Sequence, residues 1–296
     1  MNLPSVTIKN LLEAGVHLGH KTFRWNPKMN KFIFGSKNSI HIIDLVQTLE
    51  MINVALKQIH ECISSGGKIL FVSTKKQATA AIATLANETS QYYVNHRWLG
   101  GMLTNWKTIS NSIKRYKKLS EDLKKENTGF TKKELLKMGI QRDKLERSLG
   151  GIAEMLKVPD MIFIIDTNIE DLAVKESIKL NIPIVAIVDS NSNPTGINYP
   201  IPGNDDARRA INLYCELIKQ TILEAQNHVS KEDKTEKEDT KDIKVKVEKK
   251  ERVEEVKTNK SQTKEDNQKK QKPKTLKKTS KSIFAKVKAL ATKKSK

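Results

Sequence analysis

The stretch "KILFVSTKKQATAAIATLANET" (residues 68–89) changes its rhythm part-way, and that change decides the fold. Residues 68–74 form a short unbroken apolar run, as expected of a strand with both faces covered. Residues 75–89 are alanine-rich and read as a helix. Working outward, the same alternation recurs. Upstream, Asp44 can cap a helix whose apolar positions run Leu45, Leu49, Ile52, Leu56, Ile59 and Ile63, until Gly66-Gly67 breaks it. Downstream lie "YYVNHRW", "DMIFIID" (160–166), a helix around 170–180, "IPIVAIVD" (182–189) and "NYPIPG" (198–203). A closing helix runs from Asp205 to about Ala225. Strands alternating with helices predict an α/β domain with a parallel sheet of about five strands, helices on both faces.

One segment departs from the alternation. Between Thr104 and Ile152 there are two helical patterns and no strand (hairpin insertion 104–152). The first carries Trp106, Ile109, Ile113, Tyr116, Leu119 and Leu123 at three- and four-residue steps. "ENTGF" makes the turn. Thr131 and Glu134 then form a T-x-x-E capping box, opening a second helix with Leu135, Met138, Leu145, Leu149 and Ile152. Arg142 interrupts its apolar stripe. The pair predicts an antiparallel hairpin projecting roughly 30 Å at 1.5 Å per residue. A long hairpin inserted between strands suits docking better than catalysis.

The chain has 296 residues and a net charge of +20, a balance that favours a polyanionic partner. The charge is unevenly placed. Residues 1–230 hold 30 basic and 22 acidic residues, residues 231–266 hold 12 of each, and residues 267–296 hold 12 lysines and no acid. Composition shifts at His228, so residues 1–228 read as the folded domain and 229–296 as a disordered lysine-rich tail with too little to bury. Within the tail, "SIFAKVKALATKK" (282–294) sets Ile283, Phe284, Val287 and Leu290 along one helical face. The two cysteines, Cys62 and Cys215, fall within helices, which implies buried thiols and a reducing compartment. Neither a signal peptide nor a membrane span is read, so the expected setting is the cytoplasm.

The chemistry expected of a Rossmann-like nucleotide-binding enzyme, the competing reading, is poorly supported. Gly66-Gly67-Lys68 precedes a strand, whereas a phosphate-loop lysine follows one and opens a helix. No G-x-G-x-x-G follows any strand, no G-x-S-x-G elbow occurs, and both cysteines sit inside helices rather than at their N-termini. His17 and His20 lack the glutamate and the spacing of H-E-x-x-H. Asp189, however, ends one strand, and Asp205 and Asp206 follow the next. Carboxyl ends of parallel strands gather at one sheet edge. With His20 folded onto that edge, one imidazole and up to three carboxylates meet, a donor set that suits Zn²⁺ or Mg²⁺. The plainer alternative is that Asp205 caps the last helix and Asp189 a turn. Cations cluster beside aromatics: Lys21, Arg24 and Lys28 around Trp25; Arg97 and Lys107 around Trp98 and Trp106; Lys114, Arg115, Lys117 and Lys118 on the first hairpin helix. Cations position phosphates and aromatics stack on unpaired bases, so these residues are the candidate RNA contacts.

The blocks "GVHLGHKTFRWNPKMNKFIFGSKNSIHIIDL", "KILFVSTKKQA", "YYVNHRWLGGMLTNWKTI", "IPIVAIVDSNSNP" and "IPGNDDARRA" closely resemble the bacterial-type small-subunit ribosomal protein two, the S-two family, over roughly residues 5–225. The resemblance implies a flavodoxin-like α/β domain with a protruding coiled-coil hairpin and a non-catalytic role. That role is to bind small-subunit ribosomal RNA, among neighbouring small-subunit proteins, and to hold the messenger-binding protein S-one. It also implies a divalent ion on His20, Asp189, Asp205 and Asp206, structural or partner-linking, with no other cofactor and no membrane. The lysine-rich tail extends beyond the family's pattern.

Overall fold

The computed structural model describes residues 4–125 and 130–228. Five parallel strands form the central sheet in the order β5-β4-β6-β7-β8. These are β4 (Ile69–Val72), β5 (Tyr92–Val94), β6 (Met161–Ile165), β7 (Ile184–Val188) and β8 (Tyr199–Pro202). Helices α2 (Leu45–Ser64), α3 (Thr79–Thr89) and α6 (Asp171–Lys179), with a closing helix over 208–228, complete the α/β alternation. Every residue of β4, β6 and β7 is buried, which is why these strands read as unbroken apolar runs.

Successive strand residues feed two cores, as the period of two requires. Ile69 and Phe71 of β4, with Phe163 and Ile187, pack against α2, α3 and the closing helix. Leu70 and Val72, with Ile162, Ile164 and Ala186, pack against α6, the hairpin base, Met29 and Phe32. Asp44 caps α2 by accepting from Val46 N at 3.0 Å.

The hairpin arms are α4 (Trp106–Lys124) and α5 (Lys132–Leu149). Thr131 and Glu134 form both halves of the expected capping box. Only Ile109, Ile113 and Leu149 are fully buried in the arms, at the end nearest the sheet. Farther out, Tyr116, Leu119 and Leu135 are half-buried, so the distal arms rest on each other rather than on the domain.

Two features differ from the sequence reading. Strand β5 stops at Val94, and residues 95–105 form a loop; "YYVNHRW" is only half strand. The cause is Glu176 of α6, discussed below, which gathers the backbone of this loop. Second, helix α1 (Ile8–Glu13) leads into a small antiparallel sheet of β1 (Leu18–Lys21), β2 (Ile33–Lys37) and β3 (Ile40–Ile43), ordered β1-β3-β2. This sheet presents the His20 segment to the edge of the large one. The expected tail at 229–296 and most of the "ENTGF" turn lie outside the described residues.

Candidate functional site

Strand β1 carries His20, and Ser190, just past β7, fixes it. The Ser190 hydroxyl accepts from His20 N at 2.8 Å, and the Ser190 carbonyl accepts from Asn26 N at 2.8 Å. The close approach explains Gly19: a Cβ there would lie 2.8 Å from Ser190 Oγ and 3.1 Å from Asp189 Oδ1. His20 thereby reaches the carboxyl ends of β7 and β8. Its Nδ1 lies 2.7 Å from Asp189 Oδ2, and its Nε2 lies 3.4 Å from Asp206 Oδ2. Ligand atoms of His20, Asp189 and Asp205 all fall within 4.8 Å of one another. A cleft of about 360 Å³ opens onto the cluster, rimmed by Lys21, Phe23 and Arg24.

Sequence reasoning missed two members of this cluster. Lys75, three residues past β4, returns to the sheet edge and places Nζ 2.7 Å from Asp206, 2.8 Å from Asp205 and 3.1 Å from Asp166. Asp166 ends β6 as Asp189 ends β7, and the strand-end rule applied to "DMIFIID" would have found it. Asp205 does not cap the closing helix. Its neighbour Asn204 does, accepting from Asp206 N and Ala207 N at 2.8 and 3.1 Å.

The electrostatics follow from four carboxylates around one ammonium. Burial, then the charges of Asp189 and Asp166, push the Asp205 carboxyl up to about 7, against the pull of Lys75. The hydrogen bond from Asp189 raises the His20 pKa, with burial opposing and the charges of Asp189, Asp205 and Asp206 adding to the rise. Burial works against the Lys75 charge, but Asp205, Asp206 and Asp166 outweigh it and hold its pKa above the ordinary value. Asp205 Oδ2 is buried and lacks a hydrogen-bond partner among the described residues. One free carboxylate oxygen beside an imidazole and a second carboxylate is a donor set that fits a small divalent cation.

Catalytic chemistry has no comparable site. Burial pushes the Cys215 thiol up to about 12 and also raises that of Cys62, so neither is a ready thiolate.

The candidate RNA contacts fall in two places. Lys21, Arg24 and Lys28 are exposed around the small sheet, where Lys28 Nζ donates to Thr195 Oγ1 at 3.1 Å. Arg97 is exposed on the loop after β5. Lys107, Lys114, Arg115, Lys117 and Lys118 are exposed on α4, where Arg115 donates to Gln141 of the opposite arm at 3.3 Å. Spacings of seven and four residues place Lys107, Lys114 and Lys118 on one line along the helix, opposite the Ile109–Ile113 stripe. Of the tryptophans, Trp98 is core, Trp106 half-buried and Trp25 exposed.

The family model of ribosomal protein S2 matches residues 11–225. The chain belongs to the ribosomal protein S2 family. It is 56% identical over 224 residues to small ribosomal subunit protein uS2 of Parvibaculum lavamentivorans, covering 76% of this chain and 88% of that one. It is 58% identical to the uS2 proteins of Brucella suis and Methylocella silvestris, over 76% of this chain and 88% and 64% of theirs. The S2 family is one of structural proteins, and the chain is not an enzyme. Residues 226–296 lie beyond the S2 match.

Proposed function

We propose that the chain is a structural constituent of the small ribosomal subunit in the cytoplasm. In this reading its hairpin lies along ribosomal RNA, beside neighbouring small-subunit proteins, and its sheet edge faces the protein S-one. The observation that carries the RNA reading is the line of Lys107, Lys114 and Lys118 on a helix that buries its opposite face. At 1.5 Å per residue the three ammoniums step along the arm by roughly 10 and 6 Å, on the scale of successive phosphates. No helix among the described residues is long and apolar enough to cross a membrane. A structural Zn²⁺ or Mg²⁺ at His20, Asp189, Asp205 and Asp206 would offset the mutual repulsion of these carboxylates. With the metal bound, His20 and Asp206 would tie the small sheet to the large one at the face offered to S-one.

The test is the triple reversal Lys107→Glu, Lys114→Glu, Lys118→Glu, assayed by co-sedimentation with small subunits across a salt series. Three lost phosphate contacts should flatten the salt dependence by about 2–3 log units per log unit of salt. An unchanged slope would remove the hairpin from the RNA interface.

A further inference from the structure

A second bank of cations lies on the other arm, away from the α4 line. A cleft of about 720 Å³ opens between α5, the loop after β5 and α6, within the size range of small-molecule sites. Ile140, Lys144 and Arg147 line it from α5, their spacing placing them on one helical face. Arg97 and Gly100 line it from the loop, and Leu172 from α6. None of the three cations has a carboxylate partner among the described residues. The nearby acid, Asp143, is held by Arg142 at 2.9 Å. Ile140 is 62% and Leu172 54% exposed, so two aliphatic side chains stand open to water between unpaired charges.

The loop wall is rigid. The Glu176 carboxylate accepts from Trp98 Nε1 at 3.1 Å, Gly101 N at 2.7 Å and Leu103 N at 3.0 Å. Arg97 is therefore presented from a fixed backbone. At Gly100 a Cβ would meet nothing within 4 Å, which leaves that wall low enough for a flat group to lie against the main chain. An apolar slot between two guanidinium groups and an ammonium matches a nucleotide with its base out of the stack. Such a base is apolar on both faces and carries phosphates on either side.

We propose that this cleft receives one unpaired RNA nucleotide, its base between Ile140 and Leu172 and its phosphates on Arg97, Lys144 and Arg147. The proposal rests on the ribosomal RNA reading above but adds a site on the opposite arm. Phosphate contacts on α4 position the hairpin without reading the RNA, whereas a base in this slot fixes its register.

The experiment uses small subunits carrying the full chain, as wild type, Ile140→Glu or Arg147→Glu, and base-selective chemical probing of their RNA. All three chains should co-sediment with the subunit, since both positions are exposed. One unpaired nucleotide, protected by the wild type, should become reactive in both variants, as occupancy of the slot falls about tenfold for one lost charge-assisted contact. A photo-crosslinking residue at position 140 should attach to RNA near that nucleotide. Variants that co-sediment without altering the reactivity of any nucleotide overturn the slot and leave the α4 interface standing. A crosslink recovered on a protein also overturns it, and makes the cleft a peptide groove. A wild-type chain that fails to co-sediment removes the ribosomal reading itself, and the slot with it.

Discussion

Replacing Glu176 tests whether one buried carboxylate organises the base of the hairpin. It accepts five hydrogen bonds from a single loop: Trp98 Nε1, the backbone N–H groups of Gly101, Leu103 and Thr104, and the Thr104 hydroxyl, at 2.7–3.1 Å. Burial opposes its charge, but the N–H groups of Thr104, Trp98, Leu103 and Gly101 outweigh burial and hold its pKa below the ordinary 4.5. In Glu176→Ala the Trp98 and Leu103 donors remain buried and unmet, at about 1–3 kcal/mol each. The other three lie where water can replace the carboxylate. The expected loss is therefore about 3–5 kcal/mol, or roughly 6–20 °C in Tm for a domain of this size. Glu176→Gln should fall between, since it keeps one oxygen but turns an amide N–H₂ towards N–H donors.

Thermal unfolding of the full chain followed by circular dichroism measures this, with the exposed Asp171→Ala as a control of small effect. A carboxyl whose folded pKa is depressed contributes stability above its unfolded pKa and loses it as pH falls through the folded value. The gap between wild type and Glu176→Gln should thus be full at pH 7 and narrow below about pH 4.5. An alanine variant melting within about 2 °C of wild type would refute the clamp. A gap that stays constant into acid would mean that shape rather than charge holds the loop.

At the sheet edge, Asp206→Ala should lower bound zinc, measured by elemental analysis of the purified chain, and weaken association with S-one. Undiminished S-one binding by metal-stripped wild type would break the link between the two. Truncation after His228 addresses the twelve-lysine segment. If roughly six of its lysines meet phosphates, the salt slope of small-subunit binding should fall by about 4 log units per log unit of salt, and an unchanged slope would exclude RNA as its partner.

What could be read in the sequence depended on how completely each element is buried. β4, β6 and β7 are covered on both faces and announce themselves as apolar runs. α4 and α5 announce themselves by period and by the Thr131–Glu134 cap. The small sheet was illegible because its strands are four or five residues long and two of their pairings slip register, which scrambles the alternation. β5 was read too long because the pull of Glu176 on residues 98–104 comes from an element some 75 positions away. At the site, strand-end logic reached Asp189, Asp205 and Asp206. Lys75 escaped because it reads as the first turn of a helical segment, and only the tertiary fold turns its side chain back to the edge.

Lys75 also explains why a sheet of this order need not bind nucleotides. Strands β5-β4-β6-β7-β8 reverse direction of growth between β4 and β6, and the crevice outside their carboxyl ends is where such sheets take anionic ligands. Anion binding there requires free N–H groups or an unpaired cation. In this chain Thr74 N, just past β4, is already taken by the Glu170 carboxylate at 2.6 Å. Asp166, just past β6, takes Lys75 at 3.1 Å, and Asp205 and Asp206 share it. Burial and the charge of Asp166 keep the Glu170 pKa raised despite the bonds from Thr74. A phosphate entering the crevice would meet carboxylates on both sides and would have to strip Lys75 from three of them. A divalent cation meets the opposite field, with Asp205 Oδ2 still unpartnered beside it. The edge that serves anions in nucleotide-binding sheets is here built for cations, and the chain's capacity for phosphate has moved outward to the exposed lysines and arginines of the hairpin and the small sheet.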